Sequence, residues 1–408
     1  MEAYSDKKHN ILSKIYNLRA LSFNQIKTYI FENQSERYCQ KIVNELVKDN
    51  LLEKNGHTLD NSYYYLTRKG MTYLKKNSII MIGGGLWYDA DNVKTPAQLK
   101  ISTLDHQLEL NSFILEFEKR YANEGIKYYS EFTMNLYFSD IIRPDSIIET
   151  DDTIYFLEMD MNTERKTRLM QKWESYRRYL ISPLFKDFGK KVKVFFILGS
   201  KIQNTATRER NLRQFILDNL EDIINPYFNL YIDTQDGLFD YLEKEKNTPA
   251  NIKTSFQWKG FKCEKARFSE ESISKYYYKD YIFKTDKDGS IVKESNSLME
   301  FIVDDYTDKS LLVIKNIKAY PTFNTMFKKL RKREIKYLVI IDDIKEAVQM
   351  CELAGTYSDN IYFICMNDLK GGQQLTEILY GVGSDKEVYK VSSKDLRIRD
   401  RIEVKKGL

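Results

Sequence analysis

The stretch Arg143-Pro144-Asp145, followed after a short acidic turn by Ile154-Tyr155-Phe156-Leu157-Glu158-Met159-Asp160, decides how the middle of the chain is read. Its apolar run suits a buried strand, and that strand ends on a carboxylate. Asp145 lies one hairpin upstream. Two neighbouring hairpin strands would bring Asp145, Glu158 and Asp160 to the same end of a sheet. Three carboxylates gathered there repel one another unless a divalent cation or a basic ligand neutralises them.

Around this block the composition predicts a multi-domain protein. A chain of 408 residues has room for two to four cores. Its 64 basic residues nearly balance 59 acidic ones, leaving a net charge of +5. That balance argues against a surface that is polyanion-binding throughout, and leaves room for local basic patches. Cys39, Cys263, Cys351 and Cys365 are far apart and form no CxxC pair, so reduced thiols are expected rather than zinc. No charged-then-apolar leader opens the chain. The longest apolar run, around Ile79 to Tyr88, is too short and glycine-rich to span a bilayer. A cytoplasmic location with no membrane contact is the expectation.

Residues 1–80 read as a DNA-binding unit of three helices, a two-stranded hairpin and a closing helix. Ser35 can cap the third helix, because its hydroxyl can accept from first-turn amides. On that helix Cys39, Ile42, Val43, Leu46 and Val47 share one face. Arg37, Tyr38, Gln40, Lys41 and Asn44 occupy the other, as contacts to phosphates and base edges of double-stranded DNA require. Leu51-Leu52-Glu53-Lys54, Asn55-Gly56 and Tyr63-Tyr64-Tyr65-Leu66 form the hairpin. The whole resembles a winged helix-turn-helix domain.

After a linker at 79–96, residues 97–245 alternate a long helix (about Pro96 to Tyr121), strands near 128–132, 136–138, 146–148 and 154–158, a helix 164–179, a strand 192–198, a helix 207–219 and a strand 230–232. Apolar central strands in that order predict an α/β (α+β) fold, a mixed sheet with flanking helices.

The Asp145…Glu158 block resembles the PD-(D/E)xK nuclease signature of the restriction-endonuclease-like fold. With Ser130-Glu131, Met161-Asn162-Thr163-Glu164, Lys172 and Tyr176 added, residues 8–240 resemble the plasmid replication-relaxation family. The resemblance implies work on the DNA of a plasmid or other mobile element. It also implies Asp145 and Glu158 as ligands of Mg²⁺ or Mn²⁺, if the protein is catalytic, with Glu109 as an extra acid in competition with Glu116 and Glu131. Asp160 stands where the nuclease signature has its lysine. Lys172, with Lys166 as its rival, is the candidate for a migrated lysine that stabilises charge on the attacked phosphate. A relaxase of the histidine-metal type is not expected, since His9, His57 and His106 are scattered and read as ordinary residues. Arg165, Lys166 and Arg168 open the following helix as a candidate DNA-backbone surface, and the same pattern also fits a solvated helix face.

Residues 244–254 read as a second linker and 255–385 as a carboxy-terminal α/β domain that repeats the plan of the middle one. In that reading Leu311–Asn316 is a strand, a helix starts at Pro321, and Lys315 stands where the first copy has Glu158. The cluster Lys328, Lys329, Arg331, Lys332 and Arg333 then becomes the copy's binding surface. Residues 386–408 read as a charged mobile tail. Two functions follow. The first is a plasmid DNA-binding protein acting in replication or relaxation, with a metal-dependent nickase in the middle domain. The second is a non-catalytic regulator or assembly protein that keeps the nuclease fold as a scaffold. Either could act as a homodimer.

Overall fold

The computed structural model describes residues 2–402 apart from 60, 78–100, 123–124, 130–140, 163–165, 184, 186–188, 226, 266–279, 295–296 and 392–397. The linker 79–96, the strand at 136–138, Glu131 and Arg165 lie outside the described residues. The chain divides into two compact units, Met1–Thr205 with Asp233–Gln235, and Ala206–Ile232 with Asp236–Leu408. No described helix is long and apolar enough to cross a membrane.

The first unit opens with α1 (Glu2–Leu18), strand β1 (Ala20–Ser22) and helix α2 (Phe23–Gln25), which continues as a π-turn over Ile26–Ile30. The Ser22 hydroxyl accepts from the Gln25 amide at 3.1 Å and Gln25 Oε1 accepts from the Ser22 amide at 3.0 Å, a reciprocal cap. Helix α3 (Glu36–Lys48) starts at Ser35, whose hydroxyl accepts from the Tyr38 amide, and buries Cys39, Ile42, Val43 and Leu46. Strands β2 (Leu52–Asn55) and β3 (Tyr63–Leu66) follow, then α4 (Arg68–Lys76). β1 pairs with β3, so the hairpin is one part of a three-stranded sheet in the order β1-β3-β2. Three residues carry too little pattern for β1 to be seen in the sequence.

Helix α5 (Ile101–Arg120) is the spine of the unit. Its buried Asn111 donates to the carbonyls of Leu18 (3.0 Å) and Ala20 (2.6 Å). Gln25 Nε2 donates to the Leu108 carbonyl at 2.6 Å and to Ser112 Oγ at 2.8 Å. The amino-terminal helices are thus bonded to α5 and not merely tethered to it.

Against α5 lie strands β4 (Lys127–Tyr129), β5 (Ser146–Glu149), β6 (Thr153–Asp160) and β7 (Lys191–Leu198), with α6 (Lys166–Ile181) between β6 and β7. β4–β5 and β5–β6 are antiparallel and β6–β7 is parallel. All eight residues of β6 are buried, as a strand covered on both faces requires. Tyr155 contacts Phe117 of α5, while Phe156 contacts Tyr176 and Tyr179 of α6. Successive strand residues point to opposite faces, so α5 and α6 cover opposite sides of the sheet.

The second unit takes in most of α7 (Thr205–Leu220), most of β8 (Phe228–Thr234) and nearly all of α8 (Gln235–Trp258). The linker expected at 244–254 is therefore helix. Leu238, Phe239 and Leu242 are buried before the polar stretch and Phe256 after it, so both flanks hold the helix in register. β9 (Lys262–Lys265), β10 (Asp280–Phe283), β11 (Glu300–Asp305), β12 (Lys336–Ile341), β13 (Ile361–Cys365), β14 (Tyr380–Val382), β15 (Val388–Val391) and β16 (Ile398–Ile402) form one eight-stranded sheet in the order β16-β15-β14-β13-β12-β11-β10-β9. The expected tail from 386 supplies its last two strands. Lys390 and Asp400 pair across them, so charged residues here belong to a sheet edge.

Helix α9 (Leu311–Arg331) replaces the strand expected at Leu311–Asn316. Ser310 caps it by accepting from the Leu312 amide at 3.2 Å. Leu311, Leu312, Val313 and Ile314 are all buried, so the run had neither a helical nor a strand period to read. Pro321 sits inside the helix instead of opening it. Lys315 consequently cannot stand in the place of Glu158: it is helical, and its ammonium donates to the Ile224 carbonyl at 2.7 Å. The strand before α9 is β11, whose buried Asp304 accepts from Asn316 Nδ2 at 2.8 Å and from the Tyr337 hydroxyl. β9–β10 and β10–β11 are antiparallel and β11–β12 parallel, with α9 between the parallel pair, the same sequence of pairings as β4 to β7. Of the basic cluster, Lys328 pairs with Glu334 at 2.7 Å, and Arg333 turns to the buried Glu300 at 2.7 Å.

Candidate functional site: an acid–lysine–histidine cluster

The β5–β6 register pairs Ser146 with Leu157, and the Asp145 amide donates to the Leu157 carbonyl at 3.0 Å. One step further along the pair, Asp145 stands opposite Glu158. Residues opposite each other in an antiparallel pair are neighbours on one face. The hairpin therefore brings the two acids together at the sheet end.

Each acid is met by a different helix. Glu158 is fully buried; its Oε2 accepts from Lys172 Nζ at 2.6 Å and its Oε1 from the Tyr176 hydroxyl at 2.7 Å. Lys172 and Tyr176 are four apart on α6 and so share its sheet-facing side. Asp145 Oδ2 accepts from the Met159 amide at 2.8 Å and lies 3.2 Å from His106 Nε2 on α5. The Asp145 side chain keeps 25% of its surface open to solvent and His106 keeps 30%.

These contacts set the protonation states. Burial pushes the Glu158 carboxyl up to about 7, against the pull of the Lys172 ammonium. Burial would also raise Asp145, but Lys172, His106 and the Met159 amide outweigh it and hold that carboxyl at about 2. Burial disfavours a charged His106, yet the hydrogen bond and charge of Asp145 raise its pKa above the ordinary imidazole value. Burial and the Glu158 charge together keep the Tyr176 phenol protonated.

Among the residues predicted from sequence, the structure gathers Asp145, Glu158 and Lys172. Asp160 is buried on the same strand, where its Oδ1 accepts from the Asn162 amide at 3.0 Å. Glu109 turns to the loop after β7, with Oε2 accepting from the Ser200 amide at 2.7 Å and Oε1 from the Ser200 hydroxyl at 2.6 Å. That loop needs Gly199, because a Cβ there would meet Met161 Sδ at 2.6 Å and both Asp160 O and Glu109 Oε2 at 3.1 Å. Glu116 pairs with Arg120. Lys166 is the first residue of α6, and Arg168 is exposed on that helix. On α3, Arg37, Lys41 and Asn44 are exposed, while Tyr38 is half-buried against Phe31 and Gln40 donates to Glu36 at 3.3 Å. His106 was the residue sequence reasoning missed. Its only sequence signal was its place three residues before Glu109, on one side of an amphipathic helix.

A divalent cation needs carboxylate oxygens that converge on a common point. As arranged, both Glu158 oxygens are engaged by Lys172 and Tyr176, Asp145 Oδ2 is shared between an amide and an imidazole, and Glu109 is bonded to Ser200. Among the described residues no three His, Cys, Asp or Glu side chains gather as a metal site would require. In this arrangement the described acids are therefore held by protein donors instead of converging on one point.

The fold and the cluster together define a mixed α/β protein in which a helix-and-hairpin module is bonded to a sheet that ends in a buried acid and a partly exposed one, both held by neighbouring side chains. Residues 12–191, a little under half of the chain, match the family model described as replication-relaxation, so this stretch is similar to that family. No curated protein and no solved structure matches the chain. The family points to a role in the replication or relaxation of a plasmid or other mobile element.

Proposed function

We propose that the protein binds duplex DNA of a plasmid or mobile element through a winged helix formed by residues 2–76, and that the acid cluster serves this function as a scaffold. The observation that carries the scaffold reading is the neutralisation of Glu158 by Lys172 and Tyr176 within hydrogen-bond distance. A helix capped at Ser35, with its apolar side in the core and Arg37, Lys41 and Asn44 outward, supports the DNA-binding reading. So do the bonds from Asn111 of α5 to the Leu18 and Ala20 carbonyls and from Gln25 of the module to Leu108 and Ser112 of α5, which would hold the module on α5. Each lysine or arginine that touches a phosphate contributes to the salt dependence of binding.

The test is fluorescence anisotropy of labelled duplex DNA over a salt series. Arg37→Ala and Lys41→Ala should each weaken binding and lower the salt slope by about one. Unchanged binding in both variants rejects α3 as the reading helix.

One observation favours a second reading, metal-dependent nicking: an ammonium, that of Lys172, lies 2.6 Å from Glu158. Supercoiled plasmid incubated with Mg²⁺, Mn²⁺ or chelator separates the two. Metal-dependent relaxation lost in both Asp145→Ala and Glu158→Ala, with duplex binding retained, establishes the nickase and rejects the scaffold.

A further inference from the structure

The second unit carries a cavity of about 480 Å³ where the end of α8 meets the loop after the short helix Met366–Lys370. Its floor is apolar, with Phe261, Met299, Leu369 and Leu375 all buried. Its rim is different in kind. Trp258, the last residue of α8, is 79% exposed, although an indole has a large apolar surface to bury. Lys259, Lys284 and Lys370 line the same opening.

Lys259 has a structural task. Its ammonium donates to the carbonyls of Gly371 (2.8 Å) and Gln373 (2.5 Å), fastening the glycine loop to the helix end. Lys284 and Lys370 bring further positive charge to the lining. Between them the loop presents Gly372, around which a Cβ would find open space, so bare backbone faces the mouth of the cavity. An aromatic plane at a helix end, beside cations and an unobstructed backbone, is the combination that binds a base by stacking and its phosphates by charge.

We propose that this opening binds single-stranded DNA, with one base stacked on Trp258 and the adjoining phosphates met by Lys284 and Lys370. The proposal is independent of duplex binding by the first unit and of any chemistry at Glu158.

Tryptophan emission tests it in the full chain carrying Trp87→Phe, a background in which Trp173 is buried and Trp258 is the exposed indole. Adding a thymidylate decamer should quench that emission saturably. In anisotropy measurements Trp258→Ala should weaken strand binding about tenfold or more, and Trp258→Phe should keep most of it. Lys284→Ala with Lys370→Ala should lower the salt slope by about 0.7 for each phosphate that is no longer neutralised. The proposal is overturned by any of three results: no quenching, Trp258→Ala binding the strand as the parent does, or thymidine monophosphate binding as tightly as the decamer, which would make this a free-nucleotide site.

Discussion

Lys172 and Glu158 meet at 2.6 Å inside the sheet end, the lysine 16% exposed and the glutamate wholly buried. A helix following a strand has carried a cation back onto the strand's own terminal acid. Such a pair is weak evidence for stability in itself, but breaking one side of it leaves a charge stranded in the interior.

Above about pH 7, where the Glu158 carboxyl is ionised, Lys172→Met should therefore destabilise the first unit by about 3–5 kcal/mol. The double variant Lys172→Met, Glu158→Gln should recover a large part of that loss, because no charge is then buried. Guanidinium unfolding of the two variants makes the comparison; equal stabilities would mean that the pair is not coupled.

The Glu158 carboxyl is raised from its ordinary 4.5 to about 7. The folded state thus holds a proton that the unfolded chain has released. Stability from this proton is full below about pH 4.5 and is lost as pH rises through about 7, at up to about 1.4 kcal/mol per pH unit. Glu158→Gln should flatten urea midpoints across that window. A parent curve no steeper than the variant's would count against the buried acid.

His106 should titrate above the ordinary imidazole value of 6.5, since its pKa is raised in the folded state. Its pairing with Asp145 favours folding fully below about pH 6.5 and fades as pH rises through the folded pKa. In Asp145→Asn the hydrogen bond and charge that raise it most are gone, leaving burial with the smaller effects of the Lys172 and Glu158 charges, and the imidazole should titrate below the parent's value. NMR of the three histidine side chains reads this directly. An unchanged His106 shift would separate it from Asp145.

Asn111 is fully buried and donates to two backbone carbonyls at the α1–β1 turn. Asn111→Ala strands both acceptors and should cost about 1–3 kcal/mol. Because those carbonyls belong to the amino-terminal module, the same variant should raise amide exchange in α1. Loss confined to α5 would show that the module does not depend on this bond.

In the second unit Arg213 is 3% exposed. It donates to Glu209 (2.8 Å), the Tyr306 hydroxyl (3.1 Å) and the carbonyls of Lys309 (2.7 Å) and Ile232 (3.3 Å). Arg213→Met keeps much of the stem but leaves these acceptors unmet, and about 3 kcal/mol of stability should go with them. A thermal melt within a degree of the parent's would rule out that network as a support.

Local chemistry was enough to read the capped α3 and the β5–β6 pair, because Ser35 and the run Ile154–Leu157 each act through neighbours in the chain. Asn55-Gly56 marked the place of the hairpin but not its loop, since Asn55 pairs with Tyr63 and the connection runs over 56–62 instead of closing in two residues. The same locality put Asp145 opposite Glu158 and made Lys172 a candidate. Where burial is complete on every side, as over Leu311–Ile314, residue type carries no period, and only the core and the Ser310 cap decided for helix. The polar stretch at 244–254 is helical because buried residues far to either side hold it. His106 joined the site through α5, a separate element that only the tertiary fold lays against the sheet end. The sequence determined which acids share a hairpin. The tertiary structure decided what neutralises them, since the groups that do so come from two helices on opposite faces of the sheet.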